Sequence, residues 1–143
     1  MPTYPLPGLH FQVEWGGTRI GFTEVSGLII DVEVIEYREG ADAEYTPRKM
    51  PGRVFYGDLV LKRGIVEGDG EFFAWLNTIQ LNKVERRNVT ISVLNENHEP
   101  VMVWKAVNAF PRRLEGPFLH ASDGEVAIET LVLAHEGLRV ETP

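Results

Sequence analysis

Three carboxylates, Asp31, Glu33 and Asp58, have the residue types and spacing that come nearest to chemistry. Asp31 and Glu33 alternate along one apolar-rich segment and Asp58 lies in another, so paired strands could bring them together as an acid/base couple. Such a couple needs two carboxyl groups held close, one of them kept protonated by burial, and nothing in the sequence singles out a pair of that kind. Acidic residues on a wetted sheet face are the simpler reading. The four histidines, His10, His98, His120 and His135, are scattered singly, and His135-Glu136 lacks the second histidine that a zinc protease helix needs. There is no nucleophile elbow and no phosphate-binding loop, and Gly68-Asp-Gly70 is too short for a dinucleotide fingerprint. No catalytic residue, cofactor or metal site is expected. Arg86-Arg87 and Arg112-Arg113 have no interleaved aromatic ladder, so they are expected to pair with acidic residues inside the subunit or across an interface.

The chain that must position these groups has 143 residues, enough for one domain spanning 1–143. At 43% hydrophobic and 24% charged residues it is too apolar for a disordered chain. Cysteine is absent, so neither disulfides nor thiolate sites contribute, and stability must come from packing and assembly. The start MPTYPLPGLH lacks a cationic region followed by an apolar run, and no stretch approaches the length of a membrane span, so neither a signal peptide nor a span is expected. A formal charge of -7 argues against a surface that grips nucleic acid backbones and fits solubility or repulsion of an anionic cargo.

Periodicity predicts many strands and one helix. LHFQVEW and TRIGFTEV flank Gly16-Gly17, which suits a two-residue hairpin. Two long alternating segments follow, LIIDVEVIEYR from Leu28 and VFYGDLVLKRG ending at Gly64, joined by a patternless loop over 39–53. In the first, Leu28, Ile30, Val32 and Val34 share a face expected to be core, and Ile29, Asp31, Glu33, Ile35 and Tyr37 share a mixed face. In the second, Phe55, Leu59 and Leu61 oppose Tyr56, Asp58, Val60 and Lys62. Asp69 is placed to cap a helix over about 70–82, with Phe72, Phe73, Leu76 and Ile79 as its apolar stripe. Strands are expected at Arg87 to Leu94 and Val101 to Phe110, the latter stopped by Pro111, and EVAIETLVLA reads as a central or interface strand. The expected fold is mainly β, a sandwich or barrel with one short helix.

GFTEVSGL (21–28), VEVIEYREG (32–40), KMPG (49–52), LVLKRG (59–64), NAFPRRLEGP (108–117) and VAIETLVLAHEGL (126–138) together resemble the inner tail tube proteins of contractile injection systems. The likeness runs from about Leu9 to Leu138 and covers the tube proteins of contractile phage tails and of extracellular phage-tail-like particles. It departs at FFAWL, where a tryptophan-rich version is usual, and at NAFP, where NAWP is usual. The resemblance implies a non-enzymatic subunit of a hexameric ring, its strands forming a shared central β-barrel and the rings stacking into a rigid hollow tube. Expected partners are further copies of the chain, a sheath protein, baseplate or hub and tube-terminating proteins, and a cargo effector or DNA in the lumen. Assembly is expected in the bacterial cytoplasm, in a phage tail or in a particle that can be released.

On that reading Asp31, Glu33, Asp58 and Lys62 are candidates for lining the lumen. Glu39, Asp42, Glu44, Arg48, Lys49 and Arg53 in the long loop become candidates for contacts between rings. Exposed pairs contribute about 0 to 1 kcal/mol each, and cyclic symmetry multiplies that small term. Competing readings are a related type VI secretion ring protein, a small ligand-binding β-barrel with a closed apolar cavity, and a hydrolase using paired carboxylates.

Overall fold

The computed structural model describes residues 8, 10–17, 21–41, 47–80, 83–122 and 124–143. Among them run β1 (Phe11–Glu14), β2 (Phe22–Ser26), β3 (Ile30–Tyr37), β4 (Arg48–Tyr56), β5 (Leu59–Gly64), α1 (Glu71–Leu76), β6 (Arg87–Leu94), β7 (Pro100–Glu115), β8 (Ile128–Ala134) and β9 (Gly137–Glu141). The mainly β architecture with one short helix is the one the alternation predicts. Seven strands form one antiparallel sheet in the order β1-β6-β7-β8-β5-β2, with β9 also on β7, and β3 and β4 pair only with each other.

The long strand β7 makes the sheet double over. Its first part, Pro100 to Ala109, pairs with β6 and, from Val103 to Val107, with β9 on the other side, whereas Phe110 to Glu115 pairs with β8. Asn108 between the two halves adopts φ 52°, a left-handed conformation that asparagine tolerates better than most residues. Pro111 does not end the strand as its missing N–H leads one to expect. It sits beside a register shift between Pro111 and Arg113, where the ladder does not require its hydrogen bond.

Between the two arms lies one core of Trp15, Leu59, Leu61, Phe72, Trp75, Val89, Ile91, Ala106, Leu131 and Leu133, closed off by Val13, Ala109 and Leu138. Leu59 and Leu61 on β5, and Leu131 and Leu133 on β8, reach it by strict alternation, the pattern visible in the sequence. Trp15 and Phe72 meet edge-on at 5.0 Å, and Trp75 lies 5.9 Å from Trp15, an aromatic centre that aligns the helix with the sheet.

The glycine pair at 16 and 17 does not make a hairpin, because β1 and β2 occupy opposite ends of the strand order. Its role is set by Trp15: a Cβ on Gly17 would come 2.7 Å from Cε2 of the buried indole. Residues 18–20, where the predicted second strand begins, lie outside the described residues.

The helix is shorter than 70–82. Asp69 accepts the Glu71 N–H at 3.1 Å, which supplies the expected acidic start, but the helix ends at Leu76 with Asn77 as its C-cap. Thr78 then donates its hydroxyl to the Trp75 carbonyl at 2.7 Å and accepts the Glu85 N–H at 3.3 Å, so its side chain competes with helical continuation. The buried positions are Phe72 and Trp75, while Phe73 and Ile79 of the expected stripe are exposed. Residues 81–82 lie outside the described residues.

Candidate functional site

VFYGDLVLKRG is not one strand. It breaks at Gly57-Asp58, with Val54 to Tyr56 ending β4 and Leu59 to Gly64 forming β5. The break lets the β3–β4 ribbon leave the sheet. At its base Gly57 N–H donates to Ile29 O at 3.1 Å, and Gly27 adopts φ +87°, where an added Cβ would clash with the Asp58 carbonyl and lie 3.2 Å from Leu59 Cα. His135, just after β8, holds the same corner, its Nε2 2.8 Å from Gly57 O and its ring against Tyr56.

The ribbon runs antiparallel from the Ile30–Tyr56 pair to the Tyr37–Arg48 pair, with a register shift between Val32 and Val34. The connection between its strands is therefore shorter than the expected loop over 39–53, since β4 already begins at Arg48. Ladder pairs share a face, so Ile30, Val32 and Val34 lie beside Tyr56 and Val54. Asp31, Glu33, Ile35 and Tyr37 occupy the other face with Phe55 and Met50.

The alternation on β3 was legible, but the expectation that the face of Ile30, Val32 and Val34 is core is overturned. Every residue of β3 is exposed, Val34 by 59%, and so is all of β4 except the half-buried Gly52. Only Leu28, before the strand begins, packs against the core. A two-stranded ribbon with apolar residues on both faces is marginal alone in water, and its exposed aliphatic side chains constitute a surface that lacks its partner in a single copy.

A second apolar surface lies on the outer face of β5 and β8, where Val60, Ile128 and Val132 line a groove of about 550 Å³. The connection after β7 borders it with Phe118, Leu119 and Val126, exposed by 84%, 77% and 73%. EVAIETLVLA is thus central on its Leu131/Leu133 face and open on its Ile128/Val132 face.

The sequence-predicted site residues fall in different places. Asp31 and Glu33 lie on the ribbon, Asp58 in the turn beside it and Lys62 on the outer face of β5. Asp58 is ion-paired with Arg112, and Lys62 pairs with Glu24 at 3.2 Å. Asp58 is engaged by the Arg112 guanidinium and lies in the turn after β4, outside the ladder that carries Asp31. Glu39 sits in the ribbon's connection, where it accepts the Tyr37 hydroxyl at 3.2 Å. Arg48, Lys49 and Arg53, expected in the loop, stand on β4, with Lys49 opposite Glu36. Asp42 and Glu44 lie outside the described residues. The arginine pairs do find acidic partners: Arg86 with Glu136 at 3.1 Å, Arg87 with Glu85 at 3.3 Å, Arg113 with Glu115 at 3.8 Å. Among the described residues no three histidine or acidic side chains cluster as metal ligands do.

One polar centre was missed. Arg63, 1% exposed, donates Nε–H to Glu129 at 2.7 Å and its terminal nitrogens to Asp69 at 3.2 and 3.3 Å, with its guanidinium 3.8 Å above the Phe72 ring. It joins β5, β8 and the turn before α1, leaving the outer faces free. The available signal was its period: Arg63 follows Leu59 and Leu61 on the core face, where a charge requires partners.

Comparisons with known proteins agree on one group. The family model described as T4-like virus tail tube protein gp19 matches residues 7–139. A chain in the structure of the anti-feeding prophage tube terminating cap aligns with a TM-score of 0.92 at 34% identity, covering 100% of this chain and 95% of that chain. A chain of the PVC sheath-tube complex of an extracellular contractile injection system, in its extended state, aligns with a TM-score of 0.90 at 36% identity, covering 99% and 94%. Hcp1 from Flavobacterium johnsoniae shares the fold at 16% identity and a TM-score of 0.61, over 94% and 96% of the two chains. No curated protein matches the chain.

Proposed function

Because the chain belongs to the T4-like virus tail tube protein family, we propose that it is the structural subunit of the hollow inner tube of a contractile, phage-tail-like injection particle. The observation that carries this reading is the apolar β3–β4 ribbon, exposed at every strand residue but Gly52, on a domain whose core cluster includes none of its residues. Cyclic assembly gives such a ribbon a neighbour in every ring and removes exposed strand edges. Six copies form a ring, and rings stack into the tube. A sheath surrounds it, a baseplate or hub nucleates it, a terminating protein closes it, and a cargo effector or DNA travels in its lumen. The likeness to chains of a sheath-tube complex, a tube terminating cap and a baseplate supports the sheath, the terminating protein and the baseplate among these partners.

The role is structural and not enzymatic. Asp31, Glu33, Asp58 and Lys62 are proposed to face the lumen, and Glu39, Asp42, Glu44, Arg48, Lys49 and Arg53 to meet the next ring. Subunits assemble in the bacterial cytoplasm and leave as part of the particle. No helix among the described residues is long and apolar enough to cross a membrane. Electron microscopy of the purified chain, with its mass measured in solution, tests the reading: rings or tubes are expected, and a persistent monomer at high concentration refutes it.

A further inference from the structure

His10 and His98 are 88 positions apart in sequence, yet their rings meet edge-on with centroids 4.6 Å apart and His98 Nδ1 3.1 Å from His10 Nε2. His10 precedes β1 and is tied to the end of β6 by the Leu94 N–H, which donates to its carbonyl at 2.9 Å. His98 stands in the β6–β7 turn. There the Asn95 carboxamide oxygen accepts the Asn97 and Glu99 N–H groups at 2.9 and 3.0 Å, and Asn95 O accepts the His98 N–H at 3.1 Å. The turn holds His98 at φ 60°, a left-handed conformation that histidine tolerates better than most residues with a side chain.

We propose that His10 and His98 form a two-histidine site for a borderline divalent transition-metal ion, with Zn²⁺ as the reference occupant. Two imidazole nitrogens bound to one tetrahedral Zn²⁺ at about 2.0–2.1 Å stand about 3.3–3.4 Å apart, so on binding the pair gives up its hydrogen bond, opens by a few tenths of an ångström and turns both lone pairs toward the ion. Both rings border a shallow pocket of about 320 Å³, shared with Gln12, which leaves room for water to complete the coordination shell. Neutral imidazole suits zinc, copper and nickel, whereas Mg²⁺ and Ca²⁺ prefer oxygen ligands. A bound ion fastens the segment leading into β1 to the β6–β7 turn.

The test is calorimetric titration of the untagged full-length chain with ZnCl₂, and separately with MgCl₂. One Zn²⁺ per chain and no Mg²⁺ is expected. His98→Asn removes the ring while keeping a residue that tolerates left-handed φ, and His10→Gln removes the other ligand. Each is expected to weaken Zn²⁺ binding by about 10- to 100-fold or more, since losing even an outer-shell partner costs that much. His120→Gln, which alters neither ring, should bind as the parent does. Retained affinity in either His98→Asn or His10→Gln, or the absence of saturable one-to-one binding in the parent chain, overturns the proposal.

Discussion

Replacing Val34 by Asp should abolish assembly and leave the domain folded. Val34 is 59% exposed on the ribbon face that also carries Ile30, Val32, Val54 and Tyr56, each between 38% and 49% exposed. Full burial of a large apolar side chain contributes about 1.5–3 kcal/mol, so covering what these five leave open contributes about 4–7 kcal/mol per copy. The share of Val34 is about 1–2 kcal/mol. Val34→Ala should therefore raise the protein concentration needed for assembly about 5- to 30-fold. Val34→Asp adds the desolvation of an unpaired carboxylate, several kcal/mol more, in every copy of a symmetric ring. Light scattering across a concentration series, with electron micrographs of the same samples, measures the effect. The melting temperature of the unassembled chain should hardly move, because no residue of β3 belongs to the core. Tubes from Val34→Asp at the parental concentration would sink the idea that this face is the joint. A melting temperature that falls in step with assembly would mean that the ribbon is part of the fold.

Arg63→Ala strands the Glu129 and Asp69 carboxylates and should cost about 3–5 kcal/mol of stability, a large fraction of the total for a domain of this size, whereas Arg63→Lys should cost less. Denaturant unfolding checks both, and equal stability of Arg63→Ala and the parent would contradict the account of that centre. Gly17→Ala should lower stability by about 1–3 kcal/mol, read from the thermal midpoint, because the new methyl group meets the buried Trp15 indole. Deleting Ala41 to Thr46 should preserve the circular dichroism spectrum and impair ring stacking. Tubes of normal length from that variant would remove residues 41–46 from the ring-to-ring contact.

Much of the fold was legible because alternation is a local property. Leu59 and Leu61 share an apolar face by spacing alone and are core, as are Leu131 and Leu133 of the strand read as central or interface, whereas Phe55, placed on the same face as Leu59, is exposed. Arg63 obeys the same period and was readable as buried, but its partners Asp69 and Glu129 come from a neighbouring turn and a distant strand. Val32 and Val34 alternate as cleanly as Leu59 and Leu61 and yet are exposed, since period 2 separates faces without stating what covers either one. His10 and His98 looked like scattered histidines because nothing local records that β1 lies against β6.

Composition, alternation and a set of motifs spread along the chain were sufficient for the mainly β class, the short helix after Asp69 and the family. Those depend on residue type and short spacing. Tertiary structure alone decided that β3 and β4 leave the sheet as a ribbon, that β7 serves both arms past Pro111, and that the glycine pair accommodates Trp15 instead of turning a hairpin. These outcomes rest on strand pairing across long sequence distances, where the packing of one indole or one guanidinium selects among arrangements that the local pattern permits equally.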